Sequence, residues 1–199
     1  MTKSTPLTAL VEITTELVAR NREFALVGGL AVSVRSEIRF TRDVDLAVIV
    51  ESDADAEELI FDLKRSSYVP IVTVEHDIRA RLSTVRLQTP ASIIVDLLFA
   101  SSGIESEVVR GATSMTVTKN VKMPVASTEE LIAMKILSMS ARRLQDRIDV
   151  QRLIQYSTRL DVERIRRNLR LIVERGYHRD EDLLAQFEQL LSDTELPNA

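Results

Sequence analysis

Apolar positions along the chain follow two different periods. Residues 7–20 place Leu7, Leu10, Val11, Leu17 and Val18 on one stripe at helical spacing. Phe24–Val27 is a short apolar run that stops at Gly28-Gly29, which reads as a strand ending in a tight turn, with a short helix over 30–35 after it. Val44–Val50 is apolar and rich in β-branched residues except for Asp45, the pattern of a buried strand. Asp53–Arg65 carries acids in its first turn and Lys64-Arg65 in its last, the order that a helix dipole favours. Three more strands are predicted over 70–74, 82–87 and 92–99, and a hairpin over 113–118 and 121–125 around Lys119-Asn120. From there the period is helical. Ser127-Thr128-Glu129-Glu130 reads as a capping box, with Ser127 as N-cap and Glu130 at the third helical position. Helices are expected over 128–140, 145–156, 161–175 and 180–192. The pattern predicts an α/β (α+β) core over residues 1–125 and a helical domain over 126–199.

Composition then removes several function classes. The chain has 199 residues, 45% apolar and 28% charged, enough for a core without disulfides or a structural metal. It has no cysteine, which excludes a disulfide scaffold, a zinc ribbon and a cysteine nucleophile and suits a reducing cytoplasm. Only His76 and His178 offer imidazole, so a multi-histidine metal site is excluded. The longest apolar run, Phe24 to Val34, holds 11 residues. A membrane span needs about 20, so none is expected. Glu12 and Glu16 interrupt the opening segment, so no signal peptide is expected there.

Charge is uneven. The net charge is −4, yet Arg142 to Arg179 holds 11 arginines against five acids, and the last 20 residues hold six acids and no Lys or Arg. A basic stretch in an acidic chain can face nucleic acid, or it can be a set of solvated helix faces with paired charges. Arg166, Arg167 and Arg170 lie opposite the apolar stripe Val162, Ile165, Leu169 and Ile172, and form the expected acceptor-binding patch. Few aromatics interleave with these arginines, so stacking on single-stranded bases is not indicated.

The acidic pair Asp43/Asp45 is the strongest chemical signal. Of three Asp-x-Asp pairs, Asp53/Asp55 and Asp180/Asp182 open polar helices, but Asp43/Asp45 heads an apolar strand. Residues two apart on a strand project to the same side, so the two carboxylates crowd together. Arg39 and Arg42 could neutralise them; a divalent cation, which prefers carboxylate and phosphate oxygens, could do so better. Asp96 interrupts a second apolar strand and suggests three acids meeting at one sheet edge, able to hold two Mg²⁺ ions for phosphoryl transfer. An Asp at an exposed strand end is the plainer alternative. Gly28-Gly29 lies between strand and helix, where backbone N–H groups can cradle a phosphate.

Together, Val27-Gly28-Gly29, Thr41-Arg42-Asp43-Val44-Asp45-Leu46 and the later Asp96 resemble the DNA polymerase β-like nucleotidyltransferase superfamily. Ser127-Thr-Glu-Glu-Leu-Ile-Ala-Met-Lys135, followed by Arg142, Asp146 and Asp149, resembles the helical segment of the AbiEii-type nucleotidyltransferase toxins, which include the MenT toxins. One position departs from that pattern: Gln145 stands where the family usually has Arg. The resemblance spans about Phe24 to Leu153 and implies a mixed sheet flanked by helices with a C-terminal helical bundle. It also implies roles. Gly28 and Gly29 would hold the triphosphate of an NTP, with Thr41 and Arg42 beside the acids. Asp43 and Asp45 would ligate Mg²⁺ or Mn²⁺, and Asp96 would complete the metal site or act as base toward the attacking hydroxyl. Lys135 would reach the nucleotide phosphates; a snorkelling lysine on an apolar helix is its plainer alternative. Arg142 would support phosphates or an acceptor nucleic acid, and Asp146 or Asp149 would orient Lys135.

The leading expectation is an Mg²⁺-dependent nucleotidyltransferase acting on RNA, such as a tRNA 3′ end, as the toxin restrained by a cognate antitoxin. A small-molecule, antibiotic-type nucleotidyltransferase is the first alternative. A nucleotide-binding regulatory protein without turnover is the second.

Overall fold

The structure is a computed structural model that describes residues 5–76, 81–140 and 143–194. Helix α1 (Pro6–Ala19) precedes strand β1 (Phe24–Val27), helix α2 (Gly28–Arg35) and strand β2 (Val44–Val48). Then come α3 (Asp53–Arg65), β3 (Val69–His76), β4 (Arg81–Gln88), β5 (Ile94–Leu98), α4 (Glu105–Arg110) and the hairpin β6 (Thr113–Thr118) and β7 (Val121–Val125). Four helices follow: α5 (Thr128–Ser138), α6 (Leu144–Tyr156), α7 (Val162–Glu174) and α8 (Leu183–Asp193).

The seven strands form one mixed sheet in the order β3-β4-β5-β2-β1-β7-β6. The two acid-bearing strands run side by side: β2 pairs parallel with β5, and antiparallel with β1 on its other edge. Their apolar positions are buried apart from the half-buried ends of β5, Ile94 and Leu98, which explains the apolar runs. Parallel neighbours need a long crossover, supplied here by α3 and the β3–β4 hairpin. Helices and sheet share one continuous hydrophobic core, from Leu10, Ile13 and Leu17 of α1 to Ile165, Leu169 and Ile172 of α7.

The predicted mixed α/β architecture is the one observed, with four differences of detail. The α1 stripe runs through Leu10, Ile13 and Leu17, while Leu7 and Val18 stay exposed at 38% and 63%. Helix α4 was not anticipated because its six residues are too few to show a period. It is held by Glu105, whose buried carboxylate accepts the N–H groups of Ser101 and Ser102 at 2.8 and 2.7 Å. Gly28-Gly29 is the first turn of α2 itself rather than a separate turn. The capping box also differs. The Ser127 hydroxyl caps no N–H and donates instead to Glu129 and Glu130. Ser127 and Glu130 do stand at the N-cap and the third helical position, and Glu130 is buried and pairs with Arg164 of α7 at 2.7 Å.

Candidate active site

The site grows from the β1–α2 junction. Gly28 has φ +62, in the left-handed region, and the Asp45 carboxylate lies where a Cβ would stand. Glycine is therefore required twice, for conformation and for space. Gly28→Ala is expected to destabilise the fold by about 2 kcal/mol or more, read from urea unfolding. A variant as stable as wild type would show that Asp45 is not held against this turn.

Strand pairing brings the acids together. Asp45 is in register with Val27 on one side and with Asp96 on the other. Asp43 lies two residues before Asp45, and all three acids line one cavity of about 460 Å³. The Asp45 carboxylate accepts the Gly29 N–H, and among the described residues no side-chain cation pairs with it. Burial, then the charges of Asp96 and Asp43, push its pKa up to about 6, against the pull of Lys135. Asp96 is not left alone. Arg86, its register partner on β4, donates Nε to one oxygen at 2.8 Å and Nη2 to the other at 2.6 Å.

The opposite wall comes from the helices. Lys135 of α5 donates from Nζ to Asp146 at 2.6 Å and pairs with Asp149 at 2.9 Å. Asp149 is fully buried and also takes Arg39 at 3.0 Å and Gln145 at 3.0 Å. Ser138 donates to the second oxygen of Asp146 at 3.0 Å. Two acids thus fix one lysine, and Gln145 serves as a neutral donor to Asp149.

Gly28, Gly29, Thr41, Asp43, Asp45, Asp96, Lys135 and Asp146 all border this one cavity, and Asp149 stands behind Lys135. Arg42 is a correction: it is exposed, off the cavity wall, with its guanidinium over the Phe40 ring. The segment before β2 alternates, so Arg39, Thr41 and Asp43 face inward and the residues between them face out. Arg142 lies outside the described residues. Sequence reasoning missed Arg86, and also Arg143 and Arg179, which border the same cavity. No local signal marked Arg86, since β4 also carries Arg81 and only pairing with β5 sets Arg86 beside Asp96.

Among the described residues, no three carboxylates or imidazoles converge closely enough to enclose a metal ion by themselves. Mg²⁺ rarely uses such a cage. It takes one or two carboxylates and completes its shell with water and substrate phosphates. Asp43 and Asp45, half-buried and without a cationic partner among the described residues, fit that donor set.

The family model described as nucleotidyl transferase AbiEii toxin, Type IV TA system, matches residues 12–198. The chain belongs to the AbiEii family. This AbiEii-family protein is therefore a nucleotidyltransferase. No curated protein sequence matches it. Solved structures show the same fold at low identity. The enzyme ANT(2″)-Ia, in complex with adenylyl-2″-tobramycin, is similar with TM-score 0.53 and 14% identity, covering 84% of this chain and 97% of that one. A nucleotidyltransferase-like protein from Paracoccidioides brasiliensis gives 0.51 and 17%, covering 96% and 93%. The lincomycin-bound lincosamide antibiotic adenylyltransferase LnuA gives 0.50 and 16%, covering 74% and 96%.

In the AbiEii-family structure one of the three arginines expected as a patch on α7 is ion-paired. Arg166 forms a bidentate pair with Glu188 at 2.7 and 2.9 Å and also meets Glu163. Arg147 pairs with Asp193, Arg164 with Glu130, and Arg175 with Glu107. The acidic last segment folds back onto the basic one, leaving Arg167 and Arg170 exposed on α7. Among the described residues, no helix is long and apolar enough to cross a membrane.

Proposed function

We propose that this protein transfers a nucleotide from an NTP to an RNA acceptor, a tRNA 3′ end being the expected form. Mg²⁺ or Mn²⁺ assists, and the protein acts in the cytoplasm as the toxin of a toxin–antitoxin pair. The observation that carries the reading is the in-register pair Asp45/Asp96, with Asp43 beside it, facing Lys135 across one cavity floored by Gly28-Gly29. The α/β core, residues 1–125, and the helical half, residues 126–199, then close on one nucleotide.

Each residue has a part. Gly28 and Gly29 would hold the triphosphate at the start of α2, with the Gly29 N–H shared between phosphate and Asp45. Lys135, aimed by Asp146 and Asp149, holds the triphosphate against the sheet. An acceptor hydroxyl oxygen forms a bond to the α-phosphorus, the α–β phosphate bond breaks, and pyrophosphate leaves with that electron pair. Asp96, kept in place by Arg86, takes the hydroxyl proton. Asp43 and Asp45 are the residues that would hold the divalent ion, which supplies charge stabilisation to the phosphates.

The test is incubation with each labelled NTP and total RNA, with and without EDTA. Label is expected in RNA, lost with EDTA and restored by excess Mg²⁺ or Mn²⁺. Label appearing only in a small molecule would overturn the RNA acceptor, and undiminished transfer in EDTA would overturn the metal.

A further inference from the structure

Residues 37–43 connect α2 to β2 along the rim of the cavity. While Arg39, Thr41 and Asp43 face in, Ile38 is 94% and Phe40 80% exposed on the outer side. Helix α6 carries a second exposed apolar face at four-residue spacing. Leu144, Ile148 and Tyr156 lie on it, with Arg152 between. Three contacts fasten the segment to this helix: Arg39 to Asp149 at 3.0 Å, Arg152 to Glu37 at 3.7 Å, and the Tyr156 hydroxyl to Glu37. The segment therefore runs along α6 towards the cavity, with an exposed apolar face on each.

Exposed clusters of this kind mark binding surfaces, because a folded chain otherwise buries them. The free charge around the face is positive. Arg42 forms no ion pair among the described residues and stacks on Phe40, its guanidinium carbon 5.8 Å from the ring centroid. The Arg143 side chain is 67% exposed, borders the cavity and, among the described residues, pairs only with Asp146, at 4.0 Å. Glu37, the acid on this face, is already engaged by Arg152 and Tyr156. An aromatic ring paired with a guanidinium, next to free cations that lead into a reaction cavity, matches single-stranded nucleic acid: bases stack on the ring, and phosphates follow the arginines.

We propose that this face receives the unpaired 3′ end of the RNA acceptor, with a base held against Phe40 and Arg42 and the chain running past Arg143 to the acids. The proposal rests on the RNA-acceptor reading and names where that acceptor lies. The sequence hides it, because the 37–43 segment is set along α6 only by the distant contacts of Glu37 with Arg152 and Tyr156 and of Arg39 with Asp149.

The experiment measures fluorescence anisotropy of a labelled single-stranded oligoribonucleotide and of the same strand annealed to its complement. Wild type, Phe40→Ala and Phe40→Trp are compared, with binding of a fluorescent NTP analogue as control. Wild type should prefer the single strand. Phe40→Ala should weaken that binding about tenfold or more, Phe40→Trp should restore it, and NTP-analogue binding should not change. Equal affinity for duplex and single strand, or unchanged binding and RNA labelling by Phe40→Ala, overturns the proposal. If Phe40→Ala instead loses only self-association in light scattering, the face is a protein contact. If wild type neither binds nor labels RNA, the RNA-acceptor reading itself fails, an outcome distinct from a failure at Phe40.

Discussion

Asp45→Asn is expected to abolish nucleotidyl transfer and, at mildly alkaline pH, to make the protein more stable than wild type by about 1–2 kcal/mol. The two effects have one cause. Asp45 is a carboxylate pressed against Gly28 and crowded by Asp96 and Asp43, and its pKa is raised from 3.8 to about 6. The folded state thus binds this proton more tightly than the unfolded chain does. The stability it contributes is complete below the unfolded pKa and is lost as pH rises through about 6. Above that, ionised Asp45 weakens the fold, by an amount reduced because the cavity admits water. Asparagine keeps the shape and still accepts the Gly29 N–H, but carries no charge. The stability difference between variant and wild type should therefore be near zero at low pH and grow up to neutrality, in urea melts across that range. Mg²⁺ should raise the melting temperature of wild type and not of the variant. Loss of stability at alkaline pH in Asp45→Asn would show that the carboxylate has a structural partner and is not a strained functional group. Asp43→Asn should also abolish transfer, since it removes the second of the two proposed metal ligands.

How much of this was legible before folding depends on the range of the interactions. The acid pair was readable because strand alternation is local: Asp43 and Asp45 must share a side wherever β2 lies. The meeting of Asp45 with Asp96 was readable only as a suggestion, since register is a property of two strands and appears once β2 and β5 align. Arg86 was invisible for the same reason, one strand further out. Helix positions followed from period and charge, as in α3, whose bounds match the predicted ones. The capping box was legible in its positions, Ser127 as N-cap and Glu130 third in the helix, but not in its hydrogen bonds, since Glu130 engages the distant Arg164. The charge of the α7 arginines was plain in the sequence, but the pairing of Arg166 with Glu188 was not, because that carboxylate arrives with α8.

Lys135→Met is expected to lose NTP binding and to destabilise the fold by about 2–4 kcal/mol, a larger stability effect than any other single change at the site. Lys135 sits between two carboxylates, Asp146 at 2.6 Å and the fully buried Asp149 at 2.9 Å. Removing the ammonium leaves two negative charges facing each other, with Arg39 and Gln145 serving Asp149 and only Ser138 and the distant Arg143 serving Asp146. The cost is therefore that of unpaired buried charge and not of a lost surface ion pair. That assignment separates the two effects. Adding Asp146→Asn to Lys135→Met should recover much of the stability, because it removes the uncompensated carboxylate. It should recover none of the NTP affinity, because no cation is restored to the cavity wall. Lys135→Arg should fold but bind NTP less well, since a planar guanidinium does not reproduce the point charge that Asp146 and Asp149 aim. Thermal melts paired with binding of a fluorescent NTP analogue measure both quantities on each variant. Full NTP affinity in a folded Lys135→Met/Asp146→Asn double variant would remove Lys135 from the nucleotide site and leave it as an internal ion-pair partner.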